Sequence, residues 1–527
     1  MMIGNPDSAP ARPDRTSGGI TLDDVFRSAA GRHPDKLALV DPPNRESFTD
    51  GKPRRFTFAE ADRVISGIAS RLREMGLPTD AVIGIQLPNI AENFLTLLGV
   101  LRAGMIAAPL PLLWRRADAV TALGRAGAKV LITCGRTGAF NQAECAMRIA
   151  AELFAIRYVC AFGDDLPDGI VACDDLLESP LPARATEQER PRNAGTNVAV
   201  VTFDTGAAGI FPVARNHAEL LAGGLAVVLE SGLQERAAIL STLHPASFAG
   251  VSLTLLPWLL TGSTLVLHHS FAPDVFRAQR RVHRCDALVL PAPVAFRLAE
   301  AGAFADAQPA SVIAAWRSPE RLGASPPWRE ARAALIDVSI FGETGFVASR
   351  RGNGGVPAPL PLGPVIVSKD GGDGIKAGEL IQTKTGTVAM RGPMVPRRGF
   401  PPRGARSDLP CLKIGADGAV DTGYLCRADP AAATMVVSGA PANFVSIGGY
   451  RFPLAQLADL AGRIERGANF TVTPDALLGQ RLTGGAADTA AMVRALAAHG
   501  INPLVAAAFG DGGNAATGGG RNRRQSY

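Results

Sequence analysis

The sequence predicts an α/β protein: a large N-terminal region of helix-covered, mostly parallel sheets, then a β-rich subdomain and a small, truncated α+β lid domain. The chain has 527 residues, of which 47% are hydrophobic, which is enough apolar material for a sizeable core. Apolar strand-like runs alternate with helical patterns up to about residue 300, as in parallel βαβ units. From about residue 355 to 440, short apolar runs alternate with Gly/Pro turns, which indicates antiparallel strands.

The individual elements follow from the spacing of apolar residues. Residues 58–75 have apolar side chains at helical spacing, and Gly76 stands where a C-cap glycine ends a helix. Three further helices are predicted, over residues 91–103, 117–127 and 489–499. Near-continuous apolar runs predict strands over residues 81–87, 105–110, 129–133, 198–202, 263–267, 286–290, 364–367, 387–391 and 435–437.

Composition divides the chain into four segments. Residues 1–19 are polar and rich in Pro, Ser and Asp, and residues 510–527 are rich in Gly, so both are predicted to be disordered tails. Between them we predict a large domain over residues 20–439 and the lid domain over residues 440–509. The most apolar run, residues 251–267, is interrupted by proline and glycine, so it predicts buried helix and strand rather than a membrane span.

Cysteine and charge usage argue against several classes of protein. The seven cysteines include no CxxC pair and no Cys/His cluster with metal-ligand spacing, which argues against a disulfide scaffold and a zinc site. Scattered cysteines and an N-terminus without an apolar export segment predict a cytoplasmic protein. The net charge is +6, but no basic patch is interleaved with aromatic residues, so we expect no nucleic-acid partner.

Lysine is scarce in this sequence. Of the 54 basic residues only seven are lysine, none of which lies between residues 130 and 368 and none of which follows Lys413. Arginine keeps its proton too firmly to replace a lysine that acts as an amine or as a compact charge on a phosphate. Chemistry that depends on lysine therefore has few possible positions.

Short motifs occur in a characteristic order: the segments 20–41 and 56–110, STLHPASFAG (241–250), FGETG (341–345), VAMRGPMV (388–395), DTGYL (421–425), SIGGYRFP (446–453) and TPDALLGQRL (473–482). Together they resemble the class I adenylate-forming (AMP-binding) family, acyl- and aryl-CoA synthetases included, over residues 20–505. The resemblance implies ATP- and Mg²⁺-dependent activation of a small-molecule carboxylate to an acyl-adenylate, followed by acyl transfer to a thiol, often CoA. It also implies an acyl thioester as ligand and allows a related ligase or a carrier protein as partner.

The family's phosphate loop, TSGTTGxPKG, resembles residues 202–217. The residues retained, which could bind the nucleotide through a cradle of backbone N–H groups, are Thr205, Gly206 and Gly209. The two following hydroxyls are replaced by Ala207 and Ala208, and the lysine position falls on residues 211–213. We therefore expect weak binding of pyrophosphate. A purely structural strand–turn–helix is favoured over an intact ATP-binding loop. Arg215 is the nearest cation.

The family's YGxTE motif resembles residues 341–345. The resemblance places Phe341 and Gly342 at the nucleotide and Thr344 at its phosphate. Gly345 stands where the family has a metal-binding glutamate. Glu343 could become the Mg²⁺ ligand only at the expense of Thr344, because metal ligation requires accurately placed oxygens. Candidate catalytic residues are Thr344, Glu343 and His244.

The later motifs also depart from the family. Tyr424 replaces the aspartate that binds the ribose hydroxyls, and a phenol cannot chelate two hydroxyls as a carboxylate does. The hinge aspartate is Asn443 and, because no lysine follows Lys413, the lid lysine is absent. Gly448 and Gly449 resemble the loop that meets the thiol acceptor and are retained as candidate binding residues.

The substrate side is better retained. His244 is either a residue of the acyl pocket or a buried, hydrogen-bonded histidine at a strand end. Trp258 is expected in the core. These observations favour a divergent family member with adenylation impaired or lost and with binding of an acyl or aryl carboxylate, or its thioester, retained. The alternatives are an active AMP-forming fatty or aromatic acid–CoA ligase with an atypical ATP site, and a scaffold or partner of a related ligase.

Overall fold

The computed structural model describes residues 19–178, 194–305, 309–330, 332–352, 354–368, 374–401 and 409–510. Apart from residues 19 and 510, the two tails that the sequence predicts to be disordered lie outside the described residues. Among the described residues, no helix has both the length and the apolar character needed to cross a lipid bilayer.

The helices of the described residues are, in chain order, α1 (Leu22–Arg32), α2 (Phe58–Glu74), α3 (Ala91–Arg102), α4 (Arg116–Ala126), α5 (Gln142–Glu152), α6 (Asp175–Glu178), α7 (His217–Ser231), α8 (Phe248–Gly250), α9 (Leu256–Thr261), α10 (Pro273–His283), α11 (Ala292–Glu300), α12 (Leu454–Ile464), α13 (Thr489–Ala498) and α14 (Pro503–Ala506). The four helices predicted from sequence are confirmed as α2, α3, α4 and α13. Helix α2 begins with a capping box between Thr57 and Glu60, and Gly76 follows its end with a φ of +65°.

The strands are β1 (Leu37–Val40), β2 (Arg55–Thr57), β3 (Val82–Ile85), β4 (Ile106–Pro109), β5 (Val130–Cys134), β6 (Arg136–Thr137), β7 (Phe140–Asn141), β8 (Tyr158–Phe162), β9 (Val171–Ala172), β10 (Val198–Gly206), β11 (Gly209–Asn216), β12 (Ala238–Ser241), β13 (Thr264–Leu267), β14 (Ala287–Pro291), β15 (Ser311–Trp316), β16 (Ala334–Phe341), β17 (Gly345–Arg350), β18 (Leu360–Pro361), β19 (Gly363–Val367), β20 (Ile375–Gln382), β21 (Thr387–Arg391), β22 (Val420–Asp429), β23 (Thr434–Gly439), β24 (Phe444–Ile447), β25 (Tyr450–Pro453), β26 (Asn469–Asp475) and β27 (Gly479–Gly485). All nine strands predicted from sequence are present, although β10 runs to Gly206 rather than ending at residue 202.

Two large sheets form the N-terminal region. One has the order β17-β16-β15-β14-β12-β13-β1-β2 and the other β11-β10-β4-β3-β5-β8-β9. The inner pairs are parallel, and antiparallel pairing is confined to their edges, at β16–β17, β1–β2 and β10–β11. Strands such as β3 and β5 are buried at every position, because helices cover both faces. The predicted mostly parallel, helix-covered architecture is confirmed.

The β-rich region that follows is an antiparallel sheet with the order β18-β23-β22-β21-β20-β19. Its strands are short and separated by turns, as the change of pattern after residue 355 predicts. The run at residues 251–267 is a π-helical turn (Val251–Leu255) that leads into α9 and then β13, and all but two of its residues are buried.

Residues 444–509, the C-terminal unit, form a four-stranded sheet with the order β25-β24-β27-β26 together with α12, α13 and α14. The unit has a hydrophobic core of its own, which includes Val445, Leu482, Met492 and Phe509. Its contacts with the rest of the chain include hydrogen bonds, as at Ala117, whose N–H donates to the carbonyl of Gly500 (3.0 Å), and packing of Tyr450 against a hydrophobic cluster of the large region. The small α+β character of this unit agrees with the sequence prediction, and its role as a lid stays a prediction.

Candidate functional site

The motifs meet where the parallel strands of the eight-stranded sheet end. His244 and Ser247 follow β12, Arg317 follows β15, and Gly342 and Glu343 follow β16. Because these strands are parallel, their carboxyl ends lie at one edge, which is where open α/β sheets bind ligands. The hairpin of β10 and β11 and the β24–β25 turn of the C-terminal unit adjoin this edge.

The hairpin β10–β11 contains the predicted phosphate loop. Its strands pair continuously up to Gly206 opposite Gly209, so Ala207 and Ala208 form a two-residue turn. Gly209 has a φ of +88°, which a residue with a Cβ adopts only with strain. The element is a strand–turn–strand that leads into α7, not the strand–turn–helix expected from sequence. The backbone of both glycines is taken up by the hairpin, and their role in binding phosphate stays a prediction.

Side chains from two other elements hold the tip of this hairpin. Arg125 of α4 donates to the carbonyl of Ala208 (3.3 Å) and to that of Ile210. Gln456 of α12 donates to the carbonyl of Ala207 (3.2 Å). The C-terminal unit therefore contacts the loop directly, and the turn presents its carbonyls to protein donors.

A cluster of polar and charged side chains from segments far apart in the sequence lies at the hairpin. Arg451 of β25 forms an ion pair with Asp204 of β10 (Nη1–Oδ1, 3.2 Å), and both side chains are less than one-fifth exposed. The same guanidinium donates to the phenol oxygen of Tyr424 (2.6 Å). Burial alone lowers the pKa of Arg451, but Tyr424 and Asp204 outweigh it and raise the pKa above its usual value. The tyrosine that replaces the family's ribose-binding aspartate is therefore bound to an arginine of the same chain.

The turn at residues 341–345 lies against this cluster. Phe341 pairs with Gly345 across the turn, and Gly342 has a φ of +57°. A Cβ at Gly342 would lie 2.6 Å from Asp204 Oδ2 and 2.9 Å from Arg451 Nη1, so only glycine fits there. The N–H of Glu343 donates to Asp204 Oδ2 (2.9 Å), which connects the turn to the hairpin.

The carboxylate of Glu343 is buried and has partners within the protein. Its Oε2 accepts from the N–H of Phe248 (2.8 Å), and its side chain also bonds with Thr202. Burial raises the pKa of Glu343, an effect that the nearby Arg215 partly opposes. Among the described residues, no group of three or more His, Cys, Asp or Glu side chains is arranged to hold a metal ion. The role of Glu343 as a Mg²⁺ ligand stays a prediction.

Arg215, the cation nearest in sequence to the lysine position of the predicted loop, lies inside the protein. It is 2% exposed, and it donates to the carbonyls of Met394 (3.2 Å) and Thr344 (3.0 Å) and to that of Glu343. Its guanidinium carbon lies 3.6 Å from the centre of the Phe248 ring. Burial lowers the pKa of Arg215 to about 10. The arginine thus ties the hairpin to the 341–345 turn.

The substrate-side histidine has a neutral environment. His244 Nε2 donates to the carbonyl of Leu87 (2.5 Å) and lies 3.1 Å from the Asn93 amide nitrogen. Burial lowers its pKa to about 4, so the ring is uncharged at neutral pH. His244 is hydrogen-bonded but only partly buried, so both sequence interpretations, a residue of the acyl pocket and a hydrogen-bonded histidine at a strand end, stay predictions. Trp258 is fully buried in the main core beside Phe58, as predicted.

The β24–β25 turn brings the C-terminal unit to the site. Gly448 and Gly449 form this turn with φ of +57° and +92°. The phenol oxygen of Tyr450, the next residue, accepts from the N–H of Leu113 (3.2 Å). Asn443, the residue at the hinge position, has a φ of +67°, a left-handed conformation that asparagine tolerates better than most residues.

Four residues that join the two regions were not predicted from the sequence: Asp204, Arg317, Tyr450 and Arg451. Asp204 lies inside the quoted loop and Arg451 inside GGYRFP, but they are 247 residues apart. The opposite charges of Asp204 and Arg451 are the sequence signal for this ion pair. That signal can be used only when the two motifs are known to meet in space.

Comparisons with known proteins identify the fold and the family. A family model described as "AMP-binding enzyme" matches residues 26–395, and this chain belongs to that family of adenylate-forming enzymes. The amide bond synthetase McbA from Marinactinospora thermotolerans has a similar structure, with a TM-score of 0.70 and 17% sequence identity over 92% of this chain and 94% of that one. At that identity the likeness concerns the fold.

Two curated relatives match over shorter segments. Human long-chain fatty acid transport protein 1 is 33% identical over 168 residues, 32% of this chain and 24% of that protein. The 2-hydroxy-7-methoxy-5-methyl-1-naphthoate–CoA ligase of Streptomyces carzinostaticus is 28% identical over 208 residues, 38% of this chain and 35% of that protein. The chain thus covers about a quarter and a third of these relatives.

Proposed function

We propose that this chain is an adenylate-forming family member whose ATP-dependent adenylation is lost and which binds an acyl or aryl carboxylate, or its thioester. The observation that supports this most is the position of Arg451. Its guanidinium is bonded to Asp204 of the hairpin and to Tyr424 at the ribose position of the family. Tyr424, at the position where the family binds the ribose, is therefore hydrogen-bonded to a side chain of the protein itself.

The residues present do not fit Mg²⁺–ATP. The resemblance requires a carboxylate for the ribose hydroxyls, and position 424 has a phenol whose oxygen already accepts from Arg451 (2.6 Å). It requires a carboxylate for the metal, and the buried carboxylate of Glu343 accepts from Phe248 N (2.8 Å). It also requires a hydroxyl-rich loop with lysine, and the hairpin tip has two alanines and no lysine. Removing one electrostatic contact of this kind typically costs about 10²–10³ in rate, and several are replaced here.

The residues of the site can still bind and orient a ligand. Burial lowers the pKa of His244 to about 4, so this side chain is neutral at the edge. Phe341 and Phe346 provide buried apolar surface around the carboxyl ends of the strands. An apolar site with a few fixed polar groups is typical of small-molecule pockets. Cytoplasmic location is part of this proposal, and fractionation of native cells would test it.

The test is pyrophosphate chemistry. Purified protein is incubated with Mg²⁺, ATP and a panel of fatty and aromatic acids, and pyrophosphate release and exchange of labelled pyrophosphate into ATP are followed. We expect neither reaction to depend on any acid. Acid-dependent exchange would contradict the proposal.

The alternative is an active AMP-forming fatty or aromatic acid–CoA ligase. Its support is the similarity to the naphthoate–CoA ligase and the retention of Thr205 and Thr344, which could meet a phosphate by a route that the motifs do not define. In the same assay this alternative predicts AMP and an acyl-CoA when CoA is present. A scaffold or partner of a related ligase or carrier protein would instead change that protein's activity without turnover of its own.

A further inference from the structure

Arg317 is located at the centre of the candidate site. It is the first residue after β15, whose neighbour β16 leads to Glu343; β12, which leads to Ser247, lies on the other side of β15 and is separated from it by β14. Its side chain keeps part of its surface accessible, whereas Trp316 before it is buried. The end of an inner strand is a position from which a side chain can reach a bound ligand.

Among the described residues, Arg317 has no counterion, and it also lacks the several carbonyl acceptors that satisfy the buried Arg215. The one hydrogen bond of its side chain to the described residues is donated by Nη2 to the hydroxyl of Ser247, at a long 3.4 Å, and the side chain forms no ion pair with them. By contrast, Arg45 pairs with Asp41 and Glu92, and Arg351 pairs with Asp337. Charges in protein interiors are normally paired, because removing them from water is costly.

The nearest acidic group does not supply the missing partner. Glu343 attracts Arg317, but its carboxylate is held by the N–H of Phe248 and by Thr202. Arg451 on the other side repels Arg317. Burial lowers the pKa of Arg317. This is the direction expected for a buried cation whose charge is not balanced by nearby acidic groups.

The C-terminal unit covers this arginine. A Cβ at Gly449 would lie 2.4 Å from Arg317 Cδ, so the β24–β25 turn packs directly on the side chain and only glycine is accommodated there. An anion bound to the guanidinium would thus be partly enclosed by the unit and shielded from water. Hydrogen bonds between guanidinium and carboxylate are short and strong in such surroundings.

We infer that Arg317 is the residue that binds the carboxylate of the ligand, so that the site takes a free acid rather than its thioester. The inference rests on the proposed function, and it adds the chemical form of the ligand and the residue that recognises it. A carboxylate would accept from the guanidinium, complete its pairing and place the apolar part of the acid beside the buried rings of the strand ends.

The experiment measures binding of two acids and their uncharged analogues to the whole protein by calorimetry. The probes are benzoate and octanoate, benzamide and octanamide, and inorganic phosphate. We expect at least one acid to bind, its amide to bind at least tenfold more weakly, and phosphate not to compete. No binding of either acid, equal binding of acid and amide, or competition by phosphate would overturn the inference.

Variants assign the effect to the residue. We expect Arg317→Gln to weaken binding of the acid at least tenfold, and Arg317→Lys, which keeps the charge but loses the fork of donors, to be intermediate. Arg321→Gln is the matched control, because Arg321 contacts the C-terminal unit at the carbonyl of Ala476 (3.2 Å) and should leave binding unchanged. Equal affinity of wild type and Arg317→Gln would overturn the inference. If Arg317→Gln fails to fold, the lysine variant and the acid–amide comparison still decide.

These outcomes are distinct from those that test the proposed function. Acid-dependent pyrophosphate exchange would defeat the loss of adenylation and leave the role of Arg317 intact. An unchanged affinity in Arg317→Gln, with no exchange, would defeat the role of Arg317 and leave the loss of adenylation intact.

Discussion

The two halves of the site differ in how their polar groups are satisfied. On the substrate side, His244 is neutral and hydrogen-bonded to Leu87 within the N-terminal region. On the nucleotide side, charges meet across the boundary with the C-terminal unit, at Asp204 and Arg451. The neutral half depends on burial, whereas the charged half depends on the position of the C-terminal unit. We propose that the first half keeps the family's pattern and that the second half replaces it.

The largest effect is expected when the ion pair of the charged half, between Arg451 and Asp204, is removed. Arg451→Met leaves Asp204 and Tyr424 without their partner, and because both charges are mostly buried we expect the free energy of unfolding to fall by about 2 kcal/mol. Urea unfolding would measure this. The control is Arg463→Met, which removes an exposed ion pair with Asp459 on the same unit and should change stability by less than about 0.5 kcal/mol. Equal losses of unfolding free energy in the two variants would show that the buried ion pair stabilises the protein no more than the exposed one.

The neutral half predicts a dependence of stability on pH. Burial holds the pKa of His244 at about 4, below its unfolded value of 6.5. Between these values the unfolded chain binds a proton that the folded chain does not, so stability is complete above pH 6.5 and declines as the pH falls towards 4. At pH 5 the loss from this residue is about 2 kcal/mol relative to pH 7.

The variant His244→Gln isolates this contribution. Burial also lowers the pKa of the nearby His269 to about 4, so the variant should remove about half of the decline that the two residues cause together. His499→Gln, at an exposed position of the C-terminal unit, is the control. Unfolding measured from pH 7 to pH 5 with the same slope in wild type and His244→Gln would contradict the neutral assignment.

A smaller effect is expected at the hairpin that separates the halves. Gly209→Ala places a Cβ at a φ of +88°, and we expect a loss of about 1 kcal/mol. Gly462→Ala, in the last turn of α12 where a Cβ meets no atom within 4 Å, should stabilise by about 0.5 kcal/mol. Denaturation midpoints that move in the same direction would contradict the tight turn at residues 206–209.

The sequence predicted the elements well and the site only in part. Helices such as α2 and strands such as β5 are determined by local spacing and capping, which can be read within one window of sequence. The boundary of β10 was missed because the glycines of the loop resemble a phosphate-binding turn, whereas pairing with β11 continues to Gly206. The partners of Tyr424 and Arg317 depend on contacts between distant segments, which no local pattern encodes.

The measurement that tests the central claim most directly is calorimetric titration of the whole protein with ATP in the presence of Mg²⁺. Because Arg451 already satisfies Asp204 and Tyr424, and because the hairpin tip has neither hydroxyls nor lysine, we predict no detectable binding. Binding in the micromolar range would contradict the account and restore the acid–CoA ligase as the function of this chain.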